Sequence, residues 1–187
     1  MKPITIILTD GYSDWEIATL AGVGRAFHGA DIRFVSPDGG QVRSAGGLKI
    51  AETSRFASPN EGVVVVCGGP AFEGPDAPDL SAGLRKAQEA GCVVAGICGG
   101  TIGLARAGLL DGVDHTSNGP GYLEANATGY RGAGRYRDQP TALRDGGIIT
   151  APAPAPASFA AEVLMAAGLD RKKADEIRAM LSAEHRA

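Results

Sequence analysis

The sequence has 187 residues, of which 44% are hydrophobic, and this supplies enough apolar surface for one core of ordinary size. The net charge is −3, the Lys and Arg residues are scattered singly, and only 5% of the residues are aromatic. Nucleic-acid binding requires clustered basic residues or stacking rings, so no nucleic-acid partner is predicted. We predict a single domain over residues 1–187.

Neither end of the sequence nor its interior carries a membrane signal. The apolar run at residues 4–8 is too short for a secretory signal, and no small-residue cleavage site follows it. No segment approaches the roughly 20 apolar residues that a bilayer requires. The three cysteines are odd in number and form no CxxC pair, so neither a disulfide framework nor a zinc site is indicated. We expect a cytoplasmic protein that binds no membrane.

The first two thirds of the chain alternate between predicted strands and helices. Val63–Val66 is a β-branched run typical of a strand buried on both faces, and Ser13 and Glu16 have the spacing of a capping box. We predict, in chain order, a strand (4–8), a helix (13–28), a strand (32–35), a β-ribbon (to about 53), a strand (63–66), a helix (79–90), a strand (92–97), a helix (100–107) and a short strand (114–117). This order indicates a parallel sheet wrapped by helices.

The last third has weaker patterns. We predict a helix (122–127), two strands (130–138 and 147–150), a helix (159–167) and a charged C-terminal helix (172–185). Residues 151–156 alternate Ala and Pro, and each Pro fixes its own φ and biases its predecessor away from helix. This tract is therefore expected to be extended, but it is too short to separate two domains.

The strongest chemical motif is the run GICGG at residues 96–100, which follows a predicted strand and precedes a helix. It has the form of a nucleophile elbow in which Cys98 replaces the usual Ser. The positive end of the helix favours the thiolate, and the Gly99 N–H, with that of Gly68 or Gly69, would bind a developing oxyanion. The alternative is a buried, inert cysteine in a glycine-rich turn.

Further candidate residues lie where other predicted strands end, because ligands bind outside the carboxyl ends of parallel strands. Glu16 follows the first strand, and its acidic side chain serves either the capping box or the thiol. His115 is a candidate general base for Cys98, with Asp114 as a possible orienting group, or else a polar surface or capping residue. Cys67 could form a disulfide with Cys98 or complete a metal site, but the spacing matches no known metal pattern.

Five motifs, taken in order, resemble the ThiJ/PfpI superfamily. They are DWE (14–16), VCGGP (66–70), AGICGG (95–100), RAGLLDG (106–112) and HTSN (115–118). The resemblance covers roughly residues 4–168. It implies the flavodoxin-like α/β fold of the class I glutamine amidotransferases, in which a parallel sheet is sandwiched by helices and the nucleophile elbow lies at the carboxyl end of a strand.

The resemblance also implies roles for particular residues. Cys98 would be the reactive, readily oxidised thiol, and Glu16 the acidic residue whose protonated carboxyl hydrogen-bonds it. A histidine in the region of His115 approaches the cysteine in such proteins, and the chains are homodimers. Members that resemble peptidases have His directly after the nucleophile, whereas this chain has Gly99. Peptidase activity is therefore disfavoured.

Three functional hypotheses follow from these residues. The first is a cofactor-free enzyme that acts on a small electrophile in a glyoxalase-, deglycase-, hydratase- or amidase-like reaction. In it Cys98 attacks, Glu16 and His115 move protons, and Gly69 and Gly99 hold the oxyanion. The second is a redox sensor or stress-response protein whose Cys98 is oxidised to sulfinic acid. The third is a binding or chaperone-like dimer with a vestigial site.

Overall fold

The computed structural model describes residues 1–183 and contains an eight-stranded sheet with the order β3-β4-β2-β1-β5-β6-β8-β7. The inner six strands run parallel, and β3 and β7 pair antiparallel at the two edges. The strands are β1 (Ile4–Ile7), β2 (Ile32–Ser36), β3 (Gly40–Arg43), β4 (Lys49–Arg55), β5 (Val63–Val66), β6 (Val93–Ile97), β7 (Leu143–Asp145) and β8 (Ile148–Ala151).

Helices cover both faces of the sheet. Helices α1, α2, α6 and α7 share one apolar core with the sheet, and α3, α4 and α5 share the other. Their bounds are α1 (Asp14–Ala18), α2 (Gly24–His28), α3 (Ser81–Glu89), α4 (Gly100–Arg106), α5 (Tyr122–Asn126), α6 (Pro156–Ala166) and α7 (Arg171–Leu181). The predicted fold class, a mainly parallel α/β sheet between helix layers, is thereby confirmed.

The alternation of side chains along β5 shows why the central strands need apolar residues at every position. Val63 and Val65 lie in the core beneath α1 and α6, whereas Val64 and Val66 lie in the core beneath α3 and α4. All four are at most 1% exposed. A strand covered on both faces cannot show the polar alternation of a surface strand, which is why the valine run was diagnostic.

The order of the strands determines where in the fold the site lies. From β1 the chain continues to β2 on one side, while β5 pairs with β1 on the other side. The strand order therefore reverses direction at β1. At a reversal of this kind, the loops after the neighbouring strands diverge and leave a crevice at the carboxyl ends. The loops that follow β1, β5 and β6 meet there.

Several errors of the sequence-based prediction lie between residues 114 and 145. Residues 114–117 form no strand: His115 makes a single isolated bridge with Tyr136. The predicted strand at 130–138 is replaced by a 3-10 turn at Ala133–Arg135 and irregular chain. β7 was not predicted, because a three-residue antiparallel edge strand leaves almost no periodic signal.

The first helix also differs from its prediction. Ser13 precedes α1 but makes no side-chain capping bond, so the predicted capping box is wrong. Between α1 and α2 the chain forms a π-helical segment, Thr19–Val23, rather than continuous α-helix. Near the other end of the chain, α7 begins at Arg171 under an Asp170 cap and ends at Leu181, earlier than predicted; residues 184 and 185 of the predicted helix lie outside the described residues.

Within residues 1–183, no helix has the length and apolar character needed to cross a bilayer. The boundary of the domain at residues 1–187 stays a prediction.

Candidate active site

The nucleophile elbow predicted at Cys98 is present. Cys98 has φ of +54°, and it is the one residue other than glycine with positive φ among residues 1–183. Its backbone is tied on both sides: the Cys98 N–H donates to Ala151 O at 2.9 Å, and Thr101 donates to Cys98 O through both its N–H and its hydroxyl. A left-handed conformation at a non-glycine residue costs about 1–2 kcal/mol and persists where the surrounding structure imposes it.

Glu16 lies beside the thiol, fully buried. The Ser13 N–H donates to Gly68 O at 3.1 Å, which joins the start of α1 to the end of β5. In return the Gly68 N–H donates to Glu16 Oε2 at 2.8 Å. The other carboxyl oxygen, Oε1, is buried and has no hydrogen bond of standard geometry among the described residues. The carboxyl therefore has one oxygen anchored to the backbone and one available to the thiol.

Two glycines make this approach possible. A Cβ atom on Gly68 would overlap Glu16 Oε2 and lie 2.7 Å from the Cβ of Cys98. A Cβ atom on Gly99 would lie 2.5 Å from Gly69 O. Real Cβ atoms do not approach other heavy atoms so closely, so side chains at these positions would force the strand ends apart. The glycine-rich motifs after β5 and β6 are therefore a packing requirement of the site.

Charge and burial couple the two acidic groups. The pKa of the Cys98 thiol is raised to about 11, with burial as the largest cause. A hydrogen bond from the Asn118 amide lowers this pKa, and the charge of Glu16 raises it. Burial likewise raises the pKa of Glu16 above its usual range, against hydrogen bonds from Cys98, Gly68 and Ser13. The expectation of a thiolate favoured by the helix terminus is thus not met, because burial outweighs the Gly99 N–H that faces the sulfur.

The structure selects between the two predicted partners of the Gly99 amide in the oxyanion site. The Gly68 N–H is occupied by Glu16 and is not available to a substrate, which corrects that part of the prediction. The Gly69 N–H has no backbone acceptor among residues 1–183 and lies close to Gly99. The Gly69 and Gly99 amides are accordingly the two that can face a developing oxyanion.

His115 does not join this group. It is completely buried, with Nδ1 at 2.8 Å from Val113 O and Nε2 at 2.6 Å from the Tyr130 hydroxyl. Burial also lowers the pKa of His115, and Asp114, its expected orienting group, pairs instead with Arg137. A general base must reach the proton that it removes. Because both ring nitrogens are engaged elsewhere, the structure brings no Cys98–His115 pair together.

Asn118 occupies the place expected for the histidine. Its Nδ2 donates to Cys98 Sγ at 3.2 Å, and its Oδ1 accepts the Ala153 N–H at 2.9 Å. Asn118 belongs to the HTSN motif, but its role was missed because reasoning from residue type favoured the titratable His115 in the same motif. The signal that could have found it is position: Asn118 ends the motif and leads into a glycine-rich loop.

The Ala-Pro tract contributes to the surroundings of Asn118. Because Pro152 and Pro154 have no N–H, Ala153 supplies the donor that orients the Asn118 amide. A cavity of about 540 Å³ adjoins these groups. It is lined by Ser117, Asn118, Gly119, Asp138, Gln139, Pro140, Pro152, Ala153 and Pro154.

Trp15 and Cys67 differ in their exposure. The Trp15 side chain is 54% exposed, so it does not pack into the core. Cys67 is fully buried with its thiol directed at Ser13 O, and the described cysteines are free. No group of three or more His, Cys, Asp or Glu side chains within residues 1–183 is arranged to hold a metal ion.

Comparison with known proteins places this arrangement in a family. The model of the DJ-1/PfpI family matches residues 2–166, so the chain belongs to the DJ-1/PfpI family. The structure of the DJ-1 superfamily protein Atu0886 from Agrobacterium tumefaciens is similar over 100% of both chains, with a TM-score of 0.93 and 37% identity. That of a thiJ/pfpI family protein from Bacillus anthracis covers 93% of this chain and 83% of that one, with a TM-score of 0.76 and 27% identity.

A curated relative gives a shorter match. The uncharacterized protease YoaZ of Bacillus subtilis is 40% identical over 84 residues, which span 43% of this chain and 40% of YoaZ.

The strain at the elbow leads to a prediction about stability. Replacing Cys98 by Gly removes the penalty for positive φ, whereas replacing it by Ala retains this penalty. We expect Cys98→Gly to be more stable than Cys98→Ala by about 1 kcal/mol, although Gly ordinarily destabilises through its unfolded-state entropy. Urea unfolding of the two variants measures the difference. A Cys98→Ala protein as stable as Cys98→Gly would show that the elbow is not strained.

The raised pKa of Glu16 predicts a dependence of stability on pH. At acidic pH both the folded and the unfolded protein hold this proton; as the pH rises past about 4.5, the unfolded chain releases it first and stability falls. Glu16→Gln cannot lose that proton, so its free energy of unfolding should rise relative to wild type. The gain is at most about 1.4 kcal/mol per pH unit.

Urea unfolding at a series of pH values measures this trend. Glu52→Gln, on the exposed surface of β4, controls for the loss of a negative charge. A constant difference between Glu16→Gln and wild type at all pH values would contradict a raised Glu16 pKa.

Proposed function

We propose that the protein is a cysteine-dependent enzyme of the DJ-1/PfpI family that needs no cofactor and acts on a small electrophile, with an α-oxoaldehyde as the first substrate to test. The observation that carries the proposal is the strained elbow that presents Cys98 to a buried carboxyl and to an amide donor. A left-handed nucleophile held at a strand end is the geometry that exposes a reactive atom to a crevice.

The protonated state of the Cys98 thiol supports general-base catalysis by Glu16. A thiol with a pKa of about 11 is a poor nucleophile at neutral pH unless a base removes its proton during attack. Glu16 is placed to be that base, because Gly68 fixes Oε2 and the buried carboxyl also hydrogen-bonds the Cys98 thiol. Glu16 therefore accepts the thiol proton as sulfur bonds to carbon, and it can return a proton in a later step.

For an α-oxoaldehyde the steps balance as follows. The sulfur of Cys98 attacks the aldehyde carbon to give a hemithioacetal, whose oxyanion faces the Gly69 and Gly99 amides and then takes up the thiol proton carried by Glu16. Glu16 moves the proton of the former aldehyde carbon to the neighbouring carbon, and the hydroxyl proton of the hemithioacetal passes to the former ketone oxygen, which together convert the adduct to a 2-hydroxy thioester. Water then hydrolyses the thioester, releasing a 2-hydroxy acid and restoring the thiol.

The sequence-based hypotheses also concerned His115, proteolysis, location and assembly. His115 has no part in this scheme, since its ring nitrogens are engaged away from Cys98. YoaZ is named an uncharacterized protease. In this chain the residue after the nucleophile is Gly99 rather than His, so we do not propose proteolysis. A cytoplasmic location remains a proposal that rests on the cysteine pattern, and assembly with a second copy remains a proposal that rests on the family resemblance.

The proposed activity predicts conversion of methylglyoxal to lactate that depends on Cys98. Wild-type protein should produce lactate in buffer free of added thiols, whereas Cys98→Ser should lose about 100-fold or more, since the hydroxyl is a much weaker nucleophile than sulfur. Lactate is measured by an enzymatic assay. His115→Gln is the control, and it should retain turnover when folded. Full turnover by Cys98→Ser would defeat the proposal.

A second candidate function is redox sensing, and the unpartnered Glu16 Oε1 favours it. A protonated carboxyl there can donate to a sulfinate oxygen, with Asn118 as a further donor. The raised thiol pKa opposes this function, because sensor cysteines are normally thiolates.

Mild peroxide treatment tests the redox function. If it operates, mass spectrometry of peptides should show a gain of two oxygen atoms on Cys98 with little change at Cys67 and Cys92. Those two thiols are at most 3% exposed and serve as internal controls. Equal oxidation of all three cysteines, or none at Cys98, would count against a sensor. A binding role would be favoured only if methylglyoxal turnover were absent as well.

A further inference from the structure

The hydrogen bond from Asn118 to the nucleophile depends on how its amide is oriented. Ala153 holds Oδ1 from one side, which turns Nδ2 toward Cys98 Sγ at 3.2 Å. Asn118 is exposed and belongs to no helix or strand. A single backbone hydrogen bond on an exposed loop residue is a weak constraint, so the amide needs further support to stay directed at sulfur.

Tyr122 lies on the other side of Asn118. It is the first residue of α5, and its N–H donates to Gly119 O at 3.2 Å, which folds the intervening loop back on itself. Its hydroxyl donates to Glu73 Oε1 at 2.7 Å. Glu73 directly follows the 3-10 turn after β5. The Tyr122–Glu73 bond thus links the loop that carries Asn118 to the loop that carries Gly68 and Gly69.

The pKa of the Tyr122 hydroxyl responds to groups of the site. Burial raises its pKa, as do the hydrogen bond to Glu73 and the charges of Cys98 and Glu73, whereas the Asn118 amide lowers it. Since the hydroxyl proton is committed to Glu73, the oxygen can only accept from Asn118. Together the bond from the Tyr122 N–H to Gly119 O and the bond from its hydroxyl to Glu73 fix the loop that carries Asn118, while the Asn118 amide remains directed at sulfur.

We propose that Tyr122, held by Glu73, is a positioning residue that keeps the Asn118 amide directed at the Cys98 sulfur. The effect on turnover rests on the proposed function, but the effect on the thiol itself does not. The other titratable groups that face Cys98 are Glu16 from α1 and Cys67 at the end of β5, and neither contacts the Tyr122 hydroxyl.

Alkylation of the protein by iodoacetamide across neutral to alkaline pH tests the proposal without any substrate. The three cysteines are resolved by peptide mass spectrometry. In Tyr122→Phe we expect the apparent pKa of Cys98 to rise and its alkylation at neutral pH to slow about fivefold, as the loss of one positioned hydrogen bond predicts. For methylglyoxal turnover, kcat should fall by a similar factor while KM changes little.

Variants of Glu73 separate positioning from bulk packing. Glu73→Gln keeps an acceptor for the Tyr122 hydroxyl and should alkylate like wild type, whereas Glu73→Ala should behave like Tyr122→Phe. The matched control is Tyr136→Phe, which removes a hydroxyl whose acceptor is a backbone oxygen 3.4 Å away. The double variant Tyr122→Phe/Glu73→Ala should be no slower than either single variant, since both break the same link.

The outcomes distinguish this proposal from the proposed function. An unchanged pH profile of Cys98 alkylation in both Tyr122→Phe and Glu73→Ala would overturn the positioning role, even if thermal stability fell. A shifted profile in a protein that does not convert methylglyoxal would support the positioning role and reject the substrate. If Tyr122→Phe does not fold, the contrast between Glu73→Gln and Glu73→Ala decides alone.

Discussion

The site depends on the contact between a buried carboxyl and a thiol, which is possible because residue 68 has no side chain. The Gly68 carbonyl accepts from the Ser13 N–H, and the Gly68 N–H donates to the Glu16 carboxyl. A Cβ atom on Gly68 would overlap Glu16 Oε2 and lie too close to the Cβ of Cys98. Helix α1, the end of β5 and the elbow after β6 are thereby held in one cluster. The parallel order of β1, β5 and β6 is what brings these three segments to the same edge.

This contact also explains the electrostatic character of the site. Burial disfavours the charged form of both Cys98 and Glu16, and the charge of Glu16 further disfavours the thiolate, so the pair retains a proton at neutral pH. The proton can reside on sulfur or on oxygen, and the pair titrates as a unit. Donors from Asn118 and Gly99 stabilise the form in which sulfur is negative. The protein thus controls the nucleophile by the location of one proton rather than by a permanently ionised thiol.

Most of the central fold could be predicted from the sequence, and the reason is physical. The valine run of β5 is buried on both faces, and the glycine-rich segments after β5 and β6 allow the close approach seen at Gly68 and Gly99. Such requirements leave an unambiguous pattern of residue types. Cys98 could be found because it lies directly after a strand that the pattern identifies, and Glu16 because it belongs to the DWE motif between β1 and the next predicted strand.

The region between α4 and β7 could not be predicted in the same way. Its backbone is held by isolated bonds, such as the His115–Tyr136 bridge and the bond from Asn118 to Ala153, rather than by a repeating ladder. Long-range bonds between irregular segments have no periodicity, so the sequence shows residue types without their partners. His115 was chosen for its titratable ring, but its surroundings make it a buried structural residue, and the amide of Asn118 reaches the thiol instead.

The bond from the Cys98 N–H to Ala151 O has a consequence for how the protein matures during its synthesis. A nascent chain ending before β8 already contains Cys98, Glu16 and Gly68, but it lacks the strand that pairs with β6 and the Ala153 donor that orients Asn118. Because domains emerge from the ribosome N-terminus first, the nucleophile is synthesised well before its surroundings can be completed. The elbow can therefore reach its final geometry only after β8 has been synthesised.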